Sequence, residues 1–182
     1  WIGTRQGLDK LDRKKQLFSH YDSELYDDRS LSNESIWALY KDKQGNIWIG
    51  TYFGGVNHFH PRSNTFTSHN LRQGIFATRP FPVISEIVPY RPHSFLLCTE
   101  GDGLLLYNSQ DKSYSEIALL KNENIKTAYY DRKKEKLYLG IHLGGLAILD
   151  LNSGHLKRFS QIRTELNQSN IVRKILPYRD DL

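Results

Sequence analysis

Apolar residues along this chain come in short bursts, each too brief for a helix and each bounded by turn-forming residues. Ile36-Trp37-Ala38-Leu39-Tyr40 is followed by Asp42-Lys43-Gln44-Gly45-Asn46 and then by Ile47-Trp48-Ile49-Gly50-Thr51. β-branched and aromatic bursts between Asp, Asn and Gly clusters predict strands joined by hairpins. Within Ile47–Thr51, Trp48 and Gly50 share one face, and Ile47 and Ile49 share the other. Apolar groups on both faces predict a strand covered on both sides, not one with a solvated face.

The pattern recurs. Trp1-Ile2-Gly3-Thr4 with Gly7-Leu8-Asp9-Lys10-Leu11 and Phe18 matches Ile47–Thr51 with Gly54-Gly55-Val56-Asn57-His58-Phe59 and Phe66. Leu96-Leu97-Cys98-Thr99 with Gly103–Tyr107 and Tyr114 is a third copy, and Leu137-Tyr138-Leu139-Gly140 with Gly145–Leu149 and Leu156 a fourth. The anchors Gly7, Gly55, Gly103 and Gly145 are spaced by 48, 48 and 42 residues. Several short strands per copy at such a period predict an all-β fold, a β-propeller fragment of four-stranded antiparallel blades. The expected division is strands B to D of one blade over 1–21, blades over 36–69, 83–117 and 125–159, and strand A of a further blade over 171–177. That last strand could complete the first blade and close a four-bladed ring; an arc of a larger ring, of about seven blades, is the expectation. Gly3, Gly50 and Gly140 are expected to leave room for a large side chain of the next blade.

Alternation of strand direction places the long D–A connections (22–35, 70–82, 118–124, 160–170) and the B–C connections on one face of the disc. Long polar loops on a rigid scaffold are where function usually sits.

Composition changes this picture little. The chain has 182 residues, a net charge of +5, 38% hydrophobic residues and no methionine. Its start at Trp1, inside a repeat, is expected of a piece of a longer protein. No run of about 18 apolar residues is present to span a membrane. The positive balance tilts toward anionic partners. The basic residues are dispersed, however, and no basic stripe interleaved with aromatics points to nucleic acid. Cys98 is the only cysteine and occupies the place of Gly50, so a buried, inert thiol is expected.

The repeats resemble the two-component regulator propeller repeat. That pattern is an N-x-I strand, then D-x-x-G-x-I-W-I-G-T, then G-G-L-x-x-F/Y-D-P and an aromatic. Asn33 to Ile36, Asp42 to Thr51 and Gly54 to Pro61 follow it closely, with His60 in place of Asp. The third copy departs most: Tyr90-Arg91-Pro92-His93-Ser94 replaces the turn. The resemblance implies the periplasmic sensor region of an inner-membrane hybrid two-component protein from polysaccharide-degrading gut bacteria. It implies a homodimer, further propeller blades and sensor domains in the same protein, an oligosaccharide ligand, and a histidine kinase elsewhere in the parent. No cofactor, metal or catalytic residue is implied for this segment.

The candidate ligand-binding residues are Arg5, Tyr52, Phe53, Arg72, Arg79, Glu100, Asp102 and His142, mostly on the face of the long loops. Aromatic rings can stack on a pyranose, and arginines can hold a carboxylate or sulfate. Glu100 and Asp102 are the one carboxylate pair that a glycosidase, lyase or sialidase-like reading could use. Asp42-x-x-Gly45-x-x-Trp48 differs in spacing from the Asp-box of sialidase-like propellers, which is itself a structural turn. His58 and His60 share a strand face, but no third metal ligand is evident. Trp1 and Trp48 are expected in the core, while Trp37 fits either core or site. A structural propeller with no ligand of its own is the alternative to the sensor reading.

Overall fold

The computed structural model describes residues 1–69, 74–159 and 170–177. Among them, strands β1 (Ile2–Thr4), β2 (Gly7–Asp12) and β3 (Leu17–Tyr21) form a three-stranded antiparallel sheet. Three four-stranded sheets follow in chain order. They are β4 (Ile36–Lys41) to β7 (Thr65–Ser68) through β5 (Ile47–Thr51) and β6 (Val56–His60); β8 (Val83–Pro89) to β11 (Ser113–Glu116) through β9 (Ser94–Glu100) and β10 (Leu104–Asn108); and β12 (Ile125–Asp131) to β15 (Leu156–Phe159) through β13 (Lys136–Ile141) and β14 (Gly145–Asp150). Each sheet is a simple meander, as propeller blades are. We number them blades 1 to 4.

The core lies between blades rather than within any one of them. Leu8, Ile36, Ile47, Ile49, Phe59 and Phe66 fill the gap between blades 1 and 2. Trp48, Ile84, Phe95, Leu97 and Tyr107 fill the next, and Leu96, Cys98, Ile125, Leu139 and Ile141 the third. In blade 2, Trp48 therefore points one way along the stack and Ile47 and Ile49 the other. Covering both faces is why β5 is buried along its whole length.

The first strands β4, β8 and β12 pack on one another. A Cβ added to Gly3 would lie 2.5 Å from Ile36 Cγ2, and one added to Gly50 would lie 2.7 Å from Ile84 Cγ2. The second strands of blades 1 and 2 thus give up a side chain so that the next blade's isoleucine can seat. Cys98, in the place of these glycines, is fully buried beside Ile125, and burial holds its thiol well above the ordinary range. Such a thiol is inert.

The stretch 171–177 does not form a strand, which corrects the expectation. A strand needs a ladder partner, and no described residue supplies the second strand of that hairpin. The segment still takes the matching seat: Val172 lies against Gly140, and Gly145 N–H donates to Asn170 O at 3.0 Å, as Gly103 N–H does to Glu123 O. Lys174 pairs with Glu86 of blade 3, and the Ile175 N–H donates to Thr127 Oγ1 at 3.2 Å. It lies on blade 4, and among the described residues β1 pairs with β2 alone. No described strand completes blade 1.

Candidate functional site

Backbone and side-chain bonds gather the D–A and B–C connections on one face. Ser32 Oγ donates to Gly54 O at 2.7 Å, Tyr52 N–H to Ser35 O at 3.0 Å, and His142 N–H to Asn124 O at 2.8 Å. In blades 1 to 3 a threonine at or next to the end of the second strand closes the B–C loop after it. Thr4, Thr51 and Thr99 each donate Oγ1–H to the carbonyl of the anchor glycine, at 2.9, 3.1 and 2.8 Å. The loops are short, braced and superimposable in role, so what differs between blades is side-chain chemistry.

In blade 2 that chemistry is aromatic. Phe53 adopts φ 53°, a left-handed conformation that turns its ring outward, and it is 53% exposed. The Tyr52 ring lies edge-on to it at 4.4 Å and is stacked on Trp37 at 6.0 Å. Trp37 sits at a β-bulge between Ile36 and Ala38, which lifts it out of the ladder, and its indole N–H donates to Ser35 Oγ at 3.1 Å. Tyr52 and Trp37 are both about two-fifths exposed (41% and 42%). The three adjoining, partly exposed aromatics form a continuous patch. Sequence reasoning left Trp37 open between core and site because a strand position reads as core; the bulge is what exposes it. The same bulge recurs at Ser85 and Lys126, so the patch is specific to blade 2.

In blade 3 the same loop is charged, and its charges are matched. Asp102 accepts a 2.6 Å ion pair from Arg79, whose other nitrogen reaches Glu116 at 2.8 Å. The guanidinium also bonds Ile75 O and covers the Phe76 ring. Lys121 joins Glu116 and holds its carboxyl below the ordinary range, with Arg79 adding to the effect. Glu100 pairs with Lys126 of blade 4. The two carboxylates of the expected pair are therefore paired with different cations.

Arg5 is exposed in the turn between β1 and β2. His142 is half-buried, with Nδ1 buried and without a hydrogen-bond partner. Arg72 lies outside the described residues. Near the loop 22–32, a hollow of about 560 Å³ is lined by Glu24, Tyr26, Asp27 and Asp28. The structure thus brings the Tyr52 and Phe53 rings into contact, ties Arg79 to Asp102, and pairs Glu100 with Lys126.

Trp48 anchors an aromatic–histidine network between blades 2 and 3. Its indole stacks on His58 at 3.9 Å and donates to Asp42 Oδ2 at 3.2 Å. Asp42 also accepts from the Asn46 backbone and side chain; these bonds outweigh burial and hold its carboxyl below the ordinary range. This is what the D-x-x-G-x-x-W spacing does: the aspartate caps its own turn and fixes the tryptophan. Burial lowers His58 and His69 to about 4, so both rings are neutral near pH 7. Among the described residues, no group of three His, Cys, Asp or Glu has an arrangement that could hold a metal ion.

Residues 30–53 match the family described as two component regulator propeller. The resemblance read from the sequence is thereby shown over the first hairpin of blade 2 and the loop that precedes it. No curated protein sequence matches the chain. The fold is similar to the crystal structures of the extracellular domains of two putative hybrid two component systems from B. thetaiotaomicron. One is 20% identical, with 97% of this chain and 23% of that one covered and a TM-score of 0.77. The other is 21% identical, with 86% and 21% covered and a TM-score of 0.73. A computationally designed protein, Ika4, is 12% identical with a TM-score of 0.54 over 86% of this chain and 89% of that one. The chain spans less than a quarter of the two B. thetaiotaomicron domains. At these identities the likeness establishes the propeller fold.

Proposed function

We propose that this chain is part of the periplasmic sensor propeller of a hybrid two-component protein, and that its loop face holds an oligosaccharide. The observation that carries the reading is the exposed platform of Trp37, Tyr52 and Phe53 on the face where the long loops gather. A propeller core hides its aromatics between blades; three left adjoining in solvent are suited to stack on the apolar face of a sugar ring. The segment is non-catalytic in this reading and takes no cofactor. The kinase, the remaining blades and the homodimer contact belong to the parent protein. The net charge of +5 tilts the ligand toward an acidic glycan.

The matched charges of Arg79, Asp102 and Glu116 favour the alternative for blade 3, a structural role with no ligand of its own. A thermal-shift screen of the whole sensor region against neutral and acidic oligosaccharides tests both readings. A ligand that binds only the folded state raises the melting temperature by mass action. One hit that Tyr52→Ala abolishes, with the sugar recovered intact, is the expected result. A flat panel moves the assignment to the structural role, and cleaved sugar would overturn the non-catalytic reading.

A further inference from the structure

On the opposite face, where the A–B hairpin turns emerge, blades 2 and 3 leave a crevice of about 540 Å³. That volume lies in the range of small-molecule sites, roughly 300–1,000 Å³. Its aromatic lining includes Trp48 and Phe95, which are buried and 4.7 Å apart, with the partly exposed Tyr40 and Tyr90. Its rim is basic, and the cations come from three different blades: Lys43 of blade 2, Arg91 of blade 3 and Arg132 of blade 4.

The charge balance is uneven. Arg91 is paired with Glu135 at 2.7 Å and lies over the Tyr90 ring. Lys43 and Arg132 are both exposed, and neither pairs with a described carboxylate; Arg132 donates only a 3.4 Å bond to Tyr90 O. The single lining carboxylate, Asp42, is engaged by Asn46 and Trp48. Two cations without a matching carboxylate thus stand beside aromatic rings.

The turn that forms this wall is also the one that breaks the repeat. Where blade 2 has Asp42-Lys43-Gln44-Gly45, blade 3 has Tyr90-Arg91-Pro92-His93, with His93 held at φ 58°. A left-handed histidine is less favourable than the glycine used at that point in blade 2. Tyr90 packs on Tyr130 at 4.9 Å and against the core between blades 3 and 4, but Arg91, Pro92 and His93 are all exposed, so packing does not account for the rest of the turn.

We propose that this crevice is a second binding site, for a small ring-bearing anion whose ring packs against Tyr40 and Tyr90 and whose carboxylate or sulfate sits between Lys43 and Arg132. The proposal is independent of the loop-face reading, since it uses other residues on the other face. Two sources share this chemistry, an acidic sugar and an aromatic carboxylate. Isothermal titration of the protein with a sulfated uronate disaccharide, with benzoate, with neutral cellobiose and with inorganic sulfate distinguishes them.

The expected result is binding of one ring anion that weakens as salt rises and falls by at least about tenfold in the Lys43→Gln/Arg132→Gln double variant. Arg62→Gln removes another exposed cation, at the turn after β6 and outside the crevice, and leaves that affinity unchanged. Whichever ring anion binds assigns the source. The proposal is overturned if neither binds, if cellobiose or sulfate alone binds as tightly, or if Arg62→Gln weakens binding as much as the double variant.

Discussion

The loop after β5 and the loop after β9 share a scaffold and differ in what the scaffold leaves free. Both are closed by a threonine hydroxyl donating to the anchor glycine carbonyl. Tyr52-Phe53 and Glu100-Gly101 occupy equivalent positions, with Phe53 and Gly101 both at positive φ. By residue type alone the second loop is the more chemical one. In the fold, however, its carboxylates are matched by Arg79 and Lys126, and the aromatics of the first are left in solvent. Charged side chains find partners wherever a neighbouring blade offers the opposite sign. Exposed rings have no such local match, so in these two loops the groups left available for a ligand are the aromatic ones.

The largest test of this comparison is the backbone beneath the charged loop. A Cβ on Gly103 would lie 1.8 Å from Leu120 O, at φ +75°, whereas one on Gly101 meets nothing nearer than Asn124 Oδ1 at 4.0 Å. Gly103→Ala is expected to destabilise the chain by more than about 3 kcal/mol, because strain and overlap add. Gly101→Ala, at φ +99°, meets strain alone and is expected to lose about 1–2 kcal/mol. Urea denaturation of both variants reads the difference. Equal losses would mean that the loop after β9 is not pinned to the D–A connection as described.

Acid is the next lever, and it acts on the interior between the two loops' blades. His58 and His69 fall from the ordinary 6.5 to about 4 because burial disfavours the charged ring. Asp42, 3.6 Å from His58, works against that shift, and Lys112 and the neighbouring histidines work with it on His69. Between those two values the unfolded chain binds more protons than the folded one, so stability rises with pH across that window. It is expected to be level above about pH 7 and to fall progressively from about 6.5 to about 4. His69→Gln should flatten that slope in a melting-temperature series; an unchanged slope would place the acid sensitivity elsewhere.

Much of the fold was legible because it is periodic, and the periodic part is local. The turn at Asp42–Asn46, the doubly apolar β5 and the glycines that meet the next blade's isoleucine are each consequences of residue type at fixed spacing. Function was less legible, because it depends on what crosses between blades. Nothing in the spacing of Arg79, Asp102 and Glu116 shows that they share one guanidinium. Trp37 reads as a strand residue, and only the bulge in β4 takes it out of the ladder. The stretch 171–177 has strand composition, yet composition cannot supply a ladder partner.

A smaller effect on stability is expected at Arg79, the residue that matches the charges of blade 3. Arg79→Ala leaves Asp102 without its cation and uncovers the Phe76 ring, while Lys121 still reaches Glu116. The group is one-third exposed, and water screens the loss, so about 1–2 kcal/mol is the expected reduction in unfolding free energy. Oligosaccharide affinity should survive at temperatures where the variant is folded. Lost affinity at full stability would invert the comparison, making the charged loop the ligand contact.

The smallest expected change in stability, and the most informative, is at Tyr52. Its ring touches Trp37 and Phe53, all three partly exposed, and its backbone N–H keeps its bond to Ser35 O whatever the side chain. Surface substitutions away from packing and charge networks usually stay within about 0.5 kcal/mol, and Tyr52→Ala should do so. The same substitution removes the middle ring of the platform, and with it the oligosaccharide-dependent rise in melting temperature. Paired with Arg79→Ala, it separates the two loops by opposite readouts: one variant loses stability and keeps the ligand, the other keeps stability and loses it. If Tyr52→Ala instead destabilises as much as Arg79→Ala, the rings hold the loop after β5 together, and the platform is structural.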